Sequence, residues 1–179
     1  MLKDFDISSF KKNKPPSNSS FDTAQEIKAL KKIPLRKEFV KKYDDIEAAF
    51  KKTAEENNIK DYDKKIVAKL IKDSAPVIIK LKEYFKRSRP YELDKSIAHF
   101  KMKSMNTPSY PSGHSVQGVA AAKLLGDKYP KVKSAFIKTG ENISYSRRVA
   151  RAHYKSDSKM GEQLSLIHIS EPTRLRRIS

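Results

Sequence analysis

Residues 111–126 read PSGHSVQGVAAAKLLG, and the stretch changes character partway along. Its first four residues are turn-formers with a histidine attached. The remainder is a run of small and apolar residues that reads as a helix, with no two-residue alternation of the strand kind. The junction admits two readings. Pro111-Ser112-Gly113 is ordinary turn chemistry that His114 merely follows, or it is a pocket for an anion. In the second reading glycine lets backbone come close to a ligand, and the amides of a helix N-terminus favour negative charge.

Working outward, the same periodicity recurs on both sides. Toward the N-terminus, Thr23 and Glu26 fit a capping box ahead of EIKALKKI. Phe39, Tyr43, Ile46 and Phe50 fall at helical spacing within LRKEFVKKYDDIEAAFKK. Ile66, Val67, Leu70 and Ile71 mark a further amphipathic stretch that Ser74 and Pro76 punctuate, after which PVIIKLKEYFKRS runs on as a more apolar helix. Residues 91–110 lack a period and read as a long structured loop. Toward the C-terminus, KVKSAFIKTGENISYSRRVARA is again helical. No strand pattern and no internal repeat emerges, so the expected fold is all-α, a single-domain compact helical bundle.

Three segments divide the chain. Residues 1–20, with KKNKPPSNSS, are expected to be a flexible arm. Residues 21–163 form the helical domain. LSLIHISEPTR, 164–174, matches one reading frame of a common transposase-derived sequencing adapter, so 164–179 is read as a non-native tail and His168 receives no functional weight. The domain is accordingly expected to be truncated at its C-terminal end.

Composition excludes several classes. The 179 residues contain no cysteine, which removes disulfides, thiolate nucleophiles and cysteine-ligated zinc. No apolar run reaches membrane-spanning length. The first twenty residues lack the apolar core of a secretory signal, so the chain as written is expected to be cytoplasmic, or periplasmic if the true N-terminus differs. The net charge of +18 invites a nucleic-acid reading. However, 30 of the 39 basic residues are lysines scattered through every segment, with no zinc-finger spacing or arginine-rich block. A solvated lysine surface that attracts small anions is expected rather than a dedicated nucleic-acid interface. A homo-oligomer stays open.

Two further pieces carry chemistry. In KEYFKRSRP, Lys82 and Arg89 lie two helical turns apart, on one face if the helix persists, and Pro90 places Arg89 where helix gives way to loop. Arginine as a fork and lysine as a point charge suit a phosphate, although in so lysine-rich a chain they also suit a solvated face. In SRRVARAHYKSD, His153 and Asp157 are four apart, which on a helix sets a carboxylate beside an imidazole. Such a carboxylate fixes the tautomer and frees the other ring nitrogen. The plainer alternative is a surface histidine in a salt bridge. Arg147 precedes this pair by six residues.

Taken in order, the three pieces run Lys, six residues, Arg-Pro; twenty residues; Pro-Ser-Gly-His; thirty-one residues; Ser-Arg, five residues, His, three residues, Asp. This pattern resembles the three-part signature of the type 2 phosphatidic acid phosphatase superfamily, which includes class A acid phosphatases and vanadium haloperoxidases. The resemblance covers roughly residues 60 to 163 and implies the all-α fold of that group. It implies that Lys82, Arg89 and Arg147 hold phosphate oxygens and that Ser112 and Gly113 complete the cradle. It further implies His153 as nucleophile, Asp157 as its orienting partner and His114 as general acid and base. The implied function is hydrolysis of a small phosphorylated substrate through a phosphohistidine, with no metal and no cofactor. Alternatives are a haloperoxidase, since vanadate fits the same cradle, and a non-catalytic polyanion or nucleic-acid binder. Arg148, Arg151 and Lys155 fall between the signature positions and are expected only to add field, and His99 to pack.

Overall fold

The computed structural model describes residues 8–175, with side chains described for residue 8 and for 10–166. Among the described residues there are nine α-helices and no strand, which agrees with the all-α expectation. In chain order these are α1 (Ser8–Lys11), α2 (Phe21–Lys31), α3 (Lys37–Asp44), α4 (Ile46–Glu56), α5 (Lys65–Phe85), α6 (Pro90–Leu93), α7 (Gly113–Lys128), α8 (Lys133–Val149) and α9 (Lys155–Leu175). None of the described helices is long and apolar enough to cross a membrane.

Helix α7 is the central post. Its small residues explain why: Gly118, Ala120, Ala121, Ala122 and Gly126 are all buried, so it has apolar contact nearly all round and packs on α4, α5, α8 and α9. A Cβ at Gly140 of α8 would stand 2.7 Å from the Gly118 carbonyl oxygen and 2.7 Å from the Ala122 methyl. The two backbones therefore cross closer than any larger residue allows. One end of α7 is sealed by Tyr43, Phe50, Val67, Leu125, Phe136 and Ile143. The other end, nearer its N-terminus, is sealed by Val77, Ile78, Leu81, Tyr110, Val116, Met160 and Leu164.

Several sequence expectations need correcting. The first cap is not Thr23: Ser20 Oγ accepts from the Thr23 amide at 3.2 Å, and Glu26 is drawn elsewhere, to Ser156 and Arg87. The stretch through Phe39 and Phe50 is two helices, because Asp45 adopts an extended backbone and caps α4 by accepting from the Ala48 amide. Conversely, Pro76 does not interrupt α5. Pro76 takes the helical donor from the Lys72 carbonyl, and the neighbouring Ile71 carbonyl accepts from Ser74 Oγ at 3.2 Å and Gln117 Nε2 at 3.5 Å. Burial of Val77, Ile78 and Leu81 then carries the helix onward. Helix α5 stops at Phe85, where Lys86 turns left-handed (φ 48°), so Lys82 and Arg89 do not share a helix. Helix α8 likewise ends at Val149, and His153 sits in the turn before α9.

The segment expected to be an arm makes contacts with the body: Phe10 is buried against the second cluster, and the Tyr110 hydroxyl donates to the Asn13 carbonyl at 2.6 Å. Residues 1–7 lie outside the described ones. At the other end, α9 continues through residues 164–175, and Leu164 and Ser165 are buried. The side chains from 167 onward, including His168, lie outside the described residues.

Candidate active site

Every residue of the expected site lies at the end of an element, except His153, which lies between two of them. Lys82 is in the last turn of α5, Arg89 is the N-cap of α6, and Ser112 is the N-cap of α7 with Gly113 and His114 in its first turn. Arg147 is in the last turn of α8, His153 in the following turn, and Asp157 in the first turn of α9. Helix ends carry unpaired backbone groups, so their convergence gathers polar groups within an apolar bundle.

His153 and Asp157 meet as expected, although not across one helix. His153 Nδ1 lies 3.1 Å from Asp157 Oδ2. The Asp157 carboxylate is fully enclosed. Its Oδ2 also accepts from Ser109 Oγ and, at 3.0 Å, from the Tyr154 amide, while Oδ1 accepts from Arg87 Nη1 at 2.7 Å. On the far side of the imidazole, Arg89 Nη1 stands 3.3 Å from Nε2. Guanidinium has only hydrogens to offer, so Nε2 is the acceptor and Nδ1 carries the proton donated to Asp157. His153 is thereby held as the tautomer whose lone pair points at the cations. Burial foremost, with the charges of Arg89 and Lys82, pushes its pKa down to about 3 despite the Asp157 bond, which keeps the ring neutral. Burial would raise the pKa of Asp157, but its bonds to His153 and Ser109 and the charge of Arg87 win and hold it at about 2.

Lys82 and Arg89 have a different environment. Lys82 Nζ donates to the carbonyls of Pro108 and Ser109. Arg89 spends its fork on the carbonyls of Thr107 (3.0 Å), Ala152 (2.8 Å) and Ser104 (3.1 Å). Both side chains are buried, and among the described residues neither has a carboxylate in ion-pair range; the nearby Asp157 is paired with Arg87. Burial and the Arg89 charge depress Lys82 to about 7. Buried cations held only by carbonyl dipoles are costly unless an anion joins them.

Arg147 is also buried. Its Nη1 donates to Asp44 Oδ1 at 2.7 Å and its Nη2 to the sulfur of Met102 at 3.1 Å, while its Nε is buried without a partner. His114 sits beside it with Nε2 3.0 Å from the Asp44 carbonyl oxygen. A carbonyl only accepts, so this nitrogen bears the proton. Burial, then the Arg147 charge, lowers the His114 pKa to about 4.

The Pro-Ser-Gly-His turn divides its labour in a way the sequence did not reveal. The Ser112 amide is committed to the Asp157 carbonyl at 3.1 Å, and its hydroxyl caps α7, taking the Ser115 amide at 3.3 Å. A chain of hydroxyls continues from Ser112 through Ser115 to Ser144 and on to Glu162, tying the turn to α8 and α9. The first-turn amides of Gly113 and His114, by their position, have no intrahelical acceptor. A Cβ at Gly113 would meet only Ile78, at 3.4 Å, so packing leaves that position roomy.

Three contributors escaped the sequence. Arg87 pairs with Asp157 and, at 3.0 Å, with Glu26, and lies over the Tyr154 ring. Its signal was its place two residues before Arg89, between the end of α5 and Pro90. Ser109 and Asp44 had no such signal, since their roles follow from tertiary approach alone. Arg151, expected only to add field, is a clamp: with a left-handed backbone (φ 58°) it donates to the carbonyls of Lys31, Ile33 and Ala98, fastening the turn that carries His153. His99 stacks on Tyr91 with centroids 4.1 Å apart, the packing role expected of it.

Two curated proteins resemble part of the chain. The chain is 28% identical over 93 residues to a non-specific acid phosphatase of Salmonella typhimurium, an overlap taking in 50% of this chain and 37% of that protein. It is also 28% identical over 103 residues to a non-specific acid phosphatase of Providencia stuartii, taking in 52% and 39%. The chain thus aligns with under two fifths of the length of these curated relatives. No family model matches it.

Proposed function

We propose that this chain is a phosphomonoesterase of the acid phosphatase kind that works without a metal, through a phosphohistidine at His153. The observation carrying the proposal is the environment of His153, a buried neutral imidazole with its Nδ1–H committed to Asp157 and its Nε2 lone pair facing Arg89. The distant likeness to two non-specific acid phosphatases supports the same reading.

The chemistry follows from the residues. A phosphoryl group bound among Lys82, Arg89, Arg147 and the first-turn amides of α7 supplies the negative charge that Lys82 and Arg89 lack. Nε2 of His153 attacks phosphorus, and a P–N bond forms as the bond to the ester oxygen breaks. The electron pair leaves with that oxygen, which takes the proton that the bound substrate monoanion shares with His114, and the ring is left neutral. Water, giving a proton back to His114, then attacks phosphorus; the P–N bond breaks, Nε2 recovers its lone pair and orthophosphate departs. Charge is spread over the phosphoryl oxygens in the transition state, where fixed cations and amides act best. The positive charge comes from side chains, so a chelator should leave the rate unchanged.

A phosphate-release screen over nucleotides, sugar phosphates, lipid phosphates and pyrophosphate, run in chelator, tests this directly. Release by the intact chain that disappears in His153→Ala is the expected result. Release that requires added metal, or that survives loss of His153, would refute it.

A further inference from the structure

A pocket of about 530 Å³ opens beside the cradle and shares His114 and Asp44 with it. Four lysines line it, Lys37 and Lys41 on α3 and Lys101 and Lys103 on the loop before α7, and Phe100 and Met102 supply apolar wall. Asp44 is the single acid of the lining, and its carboxylate is already bound to Arg147. Glu38 lies 3.5 Å from Lys41 on the surface, where both side chains are well exposed and the pairing is worth little. The cradle has three cations of its own, Lys82, Arg89 and Arg147, and the pocket lysines form a second, separate set.

The position of His114 gives the pocket its meaning. If His114 protonates the leaving oxygen, the side of the cradle it faces is the side from which the leaving group departs. The lysine pocket therefore receives the leaving group. Its volume falls in the range of small-ligand sites, larger than a simple alkoxide needs. We propose that the favoured substrates carry a second phosphate on the leaving group: bisphosphates or phosphoanhydrides whose scissile phosphate sits in the cradle and whose other phosphate lies among Lys37, Lys41, Lys101 and Lys103, with any carbon skeleton against Phe100 and Met102. This inference rests on the phosphatase reading for its orientation, while the binding it requires is measurable without turnover.

Calorimetric titration with orthophosphate and with methylenediphosphonate, which is not hydrolysed, separates the two. The intact chain should bind the diphosphonate at least about tenfold more tightly, the sum of several modest lysine contacts. That advantage should shrink with added salt. Replacing all four lysines by alanine should bring the two affinities together, and the pairs K37Q/K41Q and K101Q/K103Q should each remove part of the difference, with melting curves confirming the fold of every variant. Equal affinities in the intact chain, or an advantage that survives all four substitutions, would overturn the subsite even if phosphatase activity is present. Preferential diphosphonate binding in a chain that hydrolyses nothing would instead overturn the phosphatase reading and leave the subsite standing.

Discussion

Arg87 and Arg89 stand two residues apart in one connection, between α5 and α6, and have opposite consequences. Arg87 neutralises a buried carboxylate, Asp157, and Arg89 is a buried cation answered by carbonyls and the neutral His153 ring but by no carboxylate. Removing Arg87 strands the Asp157 charge, so Arg87→Ala should destabilise the fold by about 3 kcal/mol or more. Arg89→Met removes a charge without a counterion, so its melting temperature should hold or rise while phosphate release falls by about two orders of magnitude or more. Melting curves and phosphate-release rates on the pair check this; a strong loss of stability in Arg89→Met would contradict it. The pH profile is set at this scale too. As pH rises, Lys82 loses its proton around 7, and the proton shared by substrate and His114 is lost near the second ionisation of phosphate, about 6. Both changes disfavour reaction, so kcat/KM should decline above about pH 7; a profile flat or rising to alkaline pH would count against the assignment. The His153–Asp157 pair was legible because four-residue spacing brings the groups close on a helix and in the turn that actually carries them. The pairing of Asp157 with Ser109 and Arg87 was not, because it depends on how the loop before α7 lies across α9.

Helix ends build the site, and the seam between α7 and α9 aligns two of them. A Cβ at Gly161 would stand 2.7 Å from the Ser112 carbonyl oxygen and 3.1 Å from the Val116 amide nitrogen, both backbone. Gly161→Ala must therefore push α9 away from the α7 N-terminus, shifting Asp157 against Ser112. It should lower both stability and phosphate release, whereas Gly113→Ala, which meets only the flexible end of Ile78, should keep its melting temperature and lose phosphate affinity. Thermal melts with and without phosphate distinguish the two. Farther along α9, Leu164 fills the second core cluster, so Leu164→Ala should cost about 2–4 kcal/mol. A chain ending at Gln163, before the segment read as non-native, should therefore melt below the full-length one; an unchanged melt would show that 164–179 is foreign to the domain. Helices α5, α7 and α8 were readable from their period. The break at Asp45 and the continuity through Pro76 were not, since a side-chain cap decides one and tertiary burial the other.

Across the whole molecule, a net charge of +18 surrounds a pocket in which cations are buried and histidines are kept neutral. Both histidines titrate far below the ordinary 6.5 in the folded chain, at about 4 and about 3. The unfolded chain takes up those protons first as pH falls, so stability should drop between about pH 6.5 and pH 4, and further as pH approaches the Asp157 value of about 2. Denaturant midpoints across that range check the sign; a midpoint unchanged from pH 7 to 4 would contradict it. Orthophosphate, by compensating the same cations, should raise the melting temperature with the logarithm of its concentration over Kd, and Arg147→Ala should remove that shift. The overall charge alone says only that anions are attracted. What distinguishes a reaction centre from a basic surface is the covalent step. Rapid quenching with p-nitrophenyl phosphate, followed by peptide mass mapping, tests that step most directly. A single phosphoryl group on His153, labile in acid and stable in base, absent from His153→Ala and accumulating in His114→Ala, is the predicted result. Turnover with no phosphorylated protein at any time, or a phosphoryl group that persists after His153 is removed, would contradict it.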